Sequence, residues 1–240
     1  MPGLFYNLGA MAGPTVRKGK WLWQSLTGTD DEIIEAEEAV GRDLAAEMAQ
    51  QLGIDEDART QRAVREIGGR LAGRVKNRRR RFDFHVVAGG TANAFALPGG
   101  FIFITRPLIE LIGGAPDELA FILGHEMGHV IEQHPMQRIM SDAGLSAALR
   151  ITPAGRLGGA WLKNTAAQML QSAYSQDREL IADRFGARLA AAAGYDALAC
   201  PRMLGRLKQV SVERQLPLAE YFSTHPPLDL RVSELQRYLK

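Results

Sequence analysis

The sequence predicts a mostly helical α+β protein with a small β-sheet beside one long, buried helix. Three observations predict it. Residues 82–105 alternate in polarity and are cut by glycine and proline, as short strands and turns are. Two cappable helical stretches precede them. After Pro107 the chain reads almost wholly as helix.

Residues 1–29 are Gly-rich and read as irregular. Thr29 or Asp30 can cap a helix from about Asp31 to Leu52, closed by Gly53. Asp55 to about Val75 reads as a second helix. Phe82 to Ala88 alternates as a strand, Gly89-Gly90 turns the chain, and Asn93–Leu97 and Phe101–Thr105 form strands around Pro98-Gly99-Gly100. Pro116, Asp117 and Glu118 suit the first turn of a helix that continues through the apolar run Leu119 to Leu123. That helix is expected to reach about His134 and stop before Pro135. Its apolar length implies burial. Gly128 inside it costs about 1 kcal/mol against Ala, which suggests close approach of another backbone. Tyr174 to Gly186 reads as a later helix. Residues 30–240 are therefore expected to form one domain: helices over 30–76, a sheet over 82–105 and a helical part over 107–240.

The buried helix carries His125-Glu126-Met127-Gly128-His129. Histidines at i and i+4 share a helical face, so both imidazoles can reach one zinc ion at about 2.0–2.1 Å. Glu126 cannot comfortably bind the same ion, but it can take the proton of a water held there. The alternative is a helix with two chance histidines, improbable with only five His in the chain. A third protein ligand is still needed. Glu132 and Pro135 stand where a longer zinc motif would place Gly and His. His134 is about 500° around the helix from His129, so it is expected to point elsewhere and hydrogen-bond structurally. Cys200 reads as buried packing. A carboxylate on a later helix remains, and Glu179 is the best candidate. Asp183, at i+4 from Glu179, would accept a hydrogen bond from a ligand histidine. The competing reading makes both acids solvated partners of Arg178 or Arg184.

Four blocks resemble the M48-type zinc metallopeptidases, the group of HtpX-like, Ste24-like and Oma1-like proteases. They are Asn93 to Gly100, His125 to His134, Tyr174-Ser175 with Glu179, Ala182 and Asp183, and Thr224-His225-Pro226-Pro227 followed by Arg231. The resemblance implies a zincin fold of the gluzincin type. It also implies one zinc ion per chain on His125, His129 and Glu179, with Glu126 as base. The family often has Arg after the Tyr-Ser pair, where this chain has Gln176, and a second Glu where it has Ile181. Gln176 leaves one supporting contact open; Ile181 removes a rival to Glu179. By the same resemblance Asn93, Ala94, Phe95 and Ala96 form a sheet edge that pairs with an extended peptide, the alternative being an ordinary hairpin.

His225 has three readings: a hydrogen-bond donor to the oxyanion of the tetrahedral intermediate, a removable fourth zinc ligand that keeps the enzyme latent, or a structural loop histidine. Arg231 supports the oxyanion or pairs with Asp183. Six basic residues between Arg74 and Arg81 read as a solvated helix end, favourable near a helix C-terminus. Binding of nucleic acid or anionic lipid is the weaker reading of that run, and no nucleic-acid fold signature accompanies it.

A net charge of +2 argues against a strong bulk electrostatic partner, and one cysteine excludes an intrachain disulfide. Residues 1–29 lack a signal-peptide pattern. No run of about 20 apolar residues offers a transmembrane span. A soluble, cytoplasmic protein is the expectation, with Trp21-Leu22-Trp23 as packing or, alternatively, a peripheral membrane contact. The expected activity is zinc-dependent endoproteolysis of unfolded or extended polypeptides. The alternatives are a non-enzymatic chaperone or adaptor on a protease fold, which would not need Glu126, and a zinc amidase acting on small substrates.

Overall fold

The computed structural model describes residues 29–142, 159–171, 173–214 and 228–240. The first helix, α1 (Asp30–Leu52), begins at Thr29, whose hydroxyl accepts from the Glu32 N–H while the Glu32 carboxylate accepts from the Thr29 N–H. This reciprocal box satisfies two donors that a helix start leaves open. Helix α2 (Ala58–Ala72) is shorter than expected because Asp57 caps it: its carboxylate accepts from the Arg59 N–H at 3.0 Å.

Three strands follow: β1 (Asp83–Val87), β2 (Ala94–Leu97) and β3 (Phe101–Thr105), in the order β1-β3-β2. Central β3 pairs parallel with β1 and antiparallel with β2, the latter joined to it by the tight turn Pro98–Gly100. Alternation along the strands divides the buried side chains between two clusters. Phe84, Val86, Ala94, Ala96, Ile102 and Ile104 join one. Val87, Phe95, Leu97 and Phe103 join the other, with Phe95 and Phe103 stacked at 5.2 Å.

The remaining helices are α3 (Arg106–Leu111), α4 (Pro116–Ile131), α5 (His134–Asp142), α6 (Gly159–Gln171), α7 (Gln176–Ala192), α8 (Ala199–Arg214) and α9 (Leu228–Tyr238). Helices α4, α7 and α8 supply much of the first cluster, and α1, α5 and α6 complete the second. Among the described residues no helix is long and apolar enough to cross a membrane.

The expected helix over 116–134 is two helices. α4 stops at Ile131, and Gln133 adopts a left-handed backbone with φ 59°. Pro135 does not end the helix; it sits in the first turn of α5, where its missing N–H costs nothing. The close approach anticipated at Gly128 is present against α7. A Cβ on Gly128 would lie 3.2 Å from Ala182 Cα, and one on Gly186 would lie 2.7 Å from the His125 nitrogen.

Candidate metal centre

Helices α4 and α7 meet backbone to backbone, and the contact brings three side chains to one point. His125 and His129 face inward one turn apart on α4, and Glu179 lies in the first turns of α7. All are buried, at 2%, 0% and 0% exposure. Nε2 of His125 is 3.1 Å from Nε2 of His129. Glu179 places one carboxylate oxygen 3.6 Å from His125 Nε2 and the other 3.3 Å from His129 Nε2. Donors about 2.0–2.1 Å from a common tetrahedral centre stand about 3.3 Å apart. The three observed separations bracket that value, so this donor set fits a zinc ion.

The contacts behind the cluster fix its chemistry. His125 Nδ1 donates to Asp183 Oδ1 at 2.9 Å. An ionised carboxylate only accepts, so the proton stays on Nδ1 and Nε2 presents its lone pair to the cluster. Burial lowers the His125 pKa, opposed by the Asp183 hydrogen bond. Arg231, 1% exposed on α9, donates from Nε and an Nη to the two oxygens of Asp183 at 2.8 and 2.7 Å, while its other Nη lies 3.1 Å from Glu179. Burial alone would raise the Asp183 pKa, but Arg231 brings it below the usual carboxylate range.

His129 is held differently. Its Nδ1 lies 2.9 Å from Nδ1 of His134. The expectation that His134 points elsewhere assumed an unbroken helix; the left-handed turn at Gln133 swings it back towards His129. Burial, then the neighbouring His129, pushes the His134 pKa down to about 3, so it stays neutral and its Nδ1 can accept a hydrogen bond from the His129 Nδ1–H. Tyr174 stacks on the His129 ring at 4.1 Å, and the Arg138 guanidinium lies 3.5 Å over the Tyr174 ring. This support from Tyr174 and Arg138 was not assigned from the sequence; Tyr174 was visible only as part of a resembling block, without a role.

Among the other site candidates, Glu126 is 1% exposed on α4. Ala94, Phe95 and Ala96 lie on β2, a terminal strand of the sheet, with Asn93 immediately before it. Both polar atoms of the Asn93 amide are buried and have no hydrogen-bond partner among the described residues. Cys200 is a core residue whose thiol burial pushes up in pKa, which makes it inert. His225 falls outside the described residues.

A model of peptidase family M48 matches residues 58–239. The chain belongs to peptidase family M48. It is 29% identical over 213 residues to the beta-barrel assembly-enhancing protease of Yersinia pestis, covering 84% of this chain and 43% of that protein. It is 32% identical over 169 residues to the mitochondrial metalloendopeptidase OMA1 of Danio rerio, covering 65% of this chain and 35% of that one. With the mitochondrial metalloendopeptidase OMA1 of Schizosaccharomyces pombe the identity is 29% over 164 residues, 66% and 47% of the two chains. The chain thus spans less than half the length of these relatives. In this M48 member His125, His129 and Glu179 are a group able to hold a metal ion.

Proposed function

We propose that this M48 chain is a zinc-dependent endopeptidase acting on extended polypeptide, with residues 30–240 as one gluzincin-like catalytic unit. The observation that carries the reading is the spacing of His125, His129 and Glu179, set by helices in van der Waals contact and backed by Asp183, Arg231 and His134. Bound there, zinc would supply a Lewis acid for the scissile carbonyl and make water acidic enough to deprotonate near neutral pH.

The chain's own groups do the rest. Glu126 takes the proton of the attacking water and returns it to the leaving amine. Asp183 and His134 hold the two imidazoles in the tautomer that presents Nε2. Arg231 keeps Asp183 ionised at the pH of catalysis and, in this reading, acts through that carboxylate. The β2 edge aligns the peptide by backbone hydrogen bonds, so side-chain specificity is loose. His225 has three roles open to it: displacing the attacking water in a latent state, donating to the oxyanion, or serving as a structural loop histidine. An intact Glu126 disfavours a purely binding function, since metal binding alone needs no base. A cytoplasmic location remains a reading of the sequence; two of the relatives are named as mitochondrial.

Glu126→Gln tests the assignment. The variant is expected to keep stoichiometric zinc and lose casein cleavage, whereas Glu179→Ala is expected to lose zinc. Cleavage by Glu126→Gln at the wild-type rate would remove Glu126 as the base, and full zinc in Glu179→Ala would move the third ligand elsewhere.

A further inference from the structure

The basic run from Arg74 to Arg81 is not uniformly a solvated helix end. Arg79 lies 3.1 Å from Asp31, and half-buried Arg80 contacts the buried Glu37 at 2.6 Å, which ties the run to α1. Arg74, Lys76 and Arg80 of the run border a cavity of about 520 Å³. That size is within the range of small-molecule sites, about 300–1,000 Å³. Its apolar wall is Ile34, Val75, Ile131, Phe185 and Leu189. Arg74, Lys76 and Arg188 are exposed along it, and none has an ion-pair partner among the described residues. Asp30 is the one carboxylate among the lining residues.

The cavity is separate from the metal centre. Ile131 follows His129 by two residues and Phe185 follows Asp183 by two, so each lies about 200° around its helix from the cluster. It therefore opens on the far side of the α4–α7 pair. It also touches Gln133, the left-handed residue whose turn delivers His134 to His129.

We propose that this cavity binds a single-chain amphipathic carboxylate, with the chain on the apolar wall and the head between Arg74, Lys76 and Arg188. Charge complementarity selects this occupant. The chain's own segments outside the described residues do not match: residues 1–28 carry Arg17, Lys18 and Lys20 without an acid, and residues 143–158 carry Arg150 and Arg156 without one. Residues 215–227 hold the single acid Glu220.

The test is calorimetric titration of the full chain with decanoate below its micelle concentration. Acetate serves as the head without the chain, and decyl maltoside as the chain without the anionic head. Saturable binding of one decanoate is expected, with both controls at least about tenfold weaker. The double variant Lys76→Glu/Arg188→Glu changes two exposed side chains and is expected to bind decanoate at least about tenfold more weakly. Its thermal unfolding and casein cleavage without ligand should stay unchanged. Arg65→Glu, an exposed change elsewhere on α2, should leave decanoate binding intact. Equal binding of decyl maltoside, undiminished binding by the double variant, or no saturable decanoate binding each overturns the site. So does capture by phosphatidylglycerol vesicles without binding of monomeric decanoate, which would make this face a membrane surface.

Discussion

Arg231→Met should uncouple the metal centre from its support, and the size of the effect follows from burial. Arg231 is 1% exposed, Asp183 1% and Glu179 0%, and the guanidinium contacts both carboxylates at 2.7–3.1 Å. Removing one member of a buried ion pair leaves the other charge uncompensated, at about 3–5 kcal/mol. A domain's whole stability is about 5–15 kcal/mol, so the variant should remain folded only narrowly. Part of the loss is recoverable by protonation. In the wild type the Asp183 pKa is lowered, so its contribution is complete above its unfolded value of 3.8 and is lost as pH falls. In the variant, burial has no cation to oppose it and raises that pKa. An acid with a raised folded pKa loses stability as pH rises through it, so the gap between the two proteins should widen from acid to neutral pH. Zinc affinity should fall about 10–100-fold, because Asp183 no longer orients His125 as an anion. Urea unfolding from pH 4.5 to 8, followed by circular dichroism with and without zinc, measures the first effect, and competition with a chelating dye the second. Arg231→Lys keeps a charge without the fork and should recover only part of either. A stability within about 0.5 kcal/mol of wild type, with unchanged zinc affinity, would refute the reasoning.

Other consequences follow from the same geometry. Gly186→Ala forces a Cβ to 2.7 Å from the His125 nitrogen. The helices must part, at about 1–3 kcal/mol for overpacking, and zinc affinity should fall with the midpoint of thermal unfolding; a variant with normal zinc binding would contradict the tight packing. Asp57 has its pKa lowered to about 2, first by the Thr60 hydroxyl and then by the Arg59 N–H. The stability difference between wild type and Asp57→Asn should be constant well above pH 4 and be lost as pH falls from about 4 through 2, as read from urea midpoints. His225→Ala should raise basal casein cleavage if His225 holds the enzyme latent, and lower kcat about 10²–10³-fold if it donates to the oxyanion.

Much of this site was legible because its determinants are local. The His125–His129 spacing, the shared face of Glu179 and Asp183, and Gly128 each follow from helical periodicity, which sequence displays directly. What sequence could not display is where helices end against one another. A helix read through to Pro135 misdirects His134, because α4 ends at Ile131 and Glu132 and Gln133 turn the chain. The left-handed conformation at Gln133 is unusual for a residue with a side chain, so no composition signal marks it. The sequence leaves Arg231 as an oxyanion support or a partner of Asp183. That it also reaches Glu179 depends on the docking of α9, for which one helix's sequence carries no period. In the sheet, alternation located the strands, but their order β1-β3-β2 rests on a parallel pairing of β1 with β3 between segments that are not neighbours in sequence.

The packing of α4 on α7 sets the geometry of the candidate metal centre. Zinc donors must be placed to within about 0.2 Å, yet His125 and Glu179 belong to different helices. Long side chains at a helix contact can repack, and the interhelical distance then varies with their rotamers. Gly124, Gly128 and Gly186 leave no such freedom: Gly124 faces the Gly186 backbone and Gly128 the Ala182 backbone, each within 3.1–3.2 Å of where a Cβ would stand. Backbone against backbone has one closest approach, set by van der Waals radii, and that approach holds the Nε2 and carboxylate atoms near their tetrahedral spacing. The intrinsic cost of glycine in α4, about 1 kcal/mol per position, is thus tied to metal geometry more than to core volume. It follows that Gly128→Ala, with a predicted Cβ contact at 3.2 Å, should harm zinc affinity less than Gly186→Ala, with its contact at 2.7 Å.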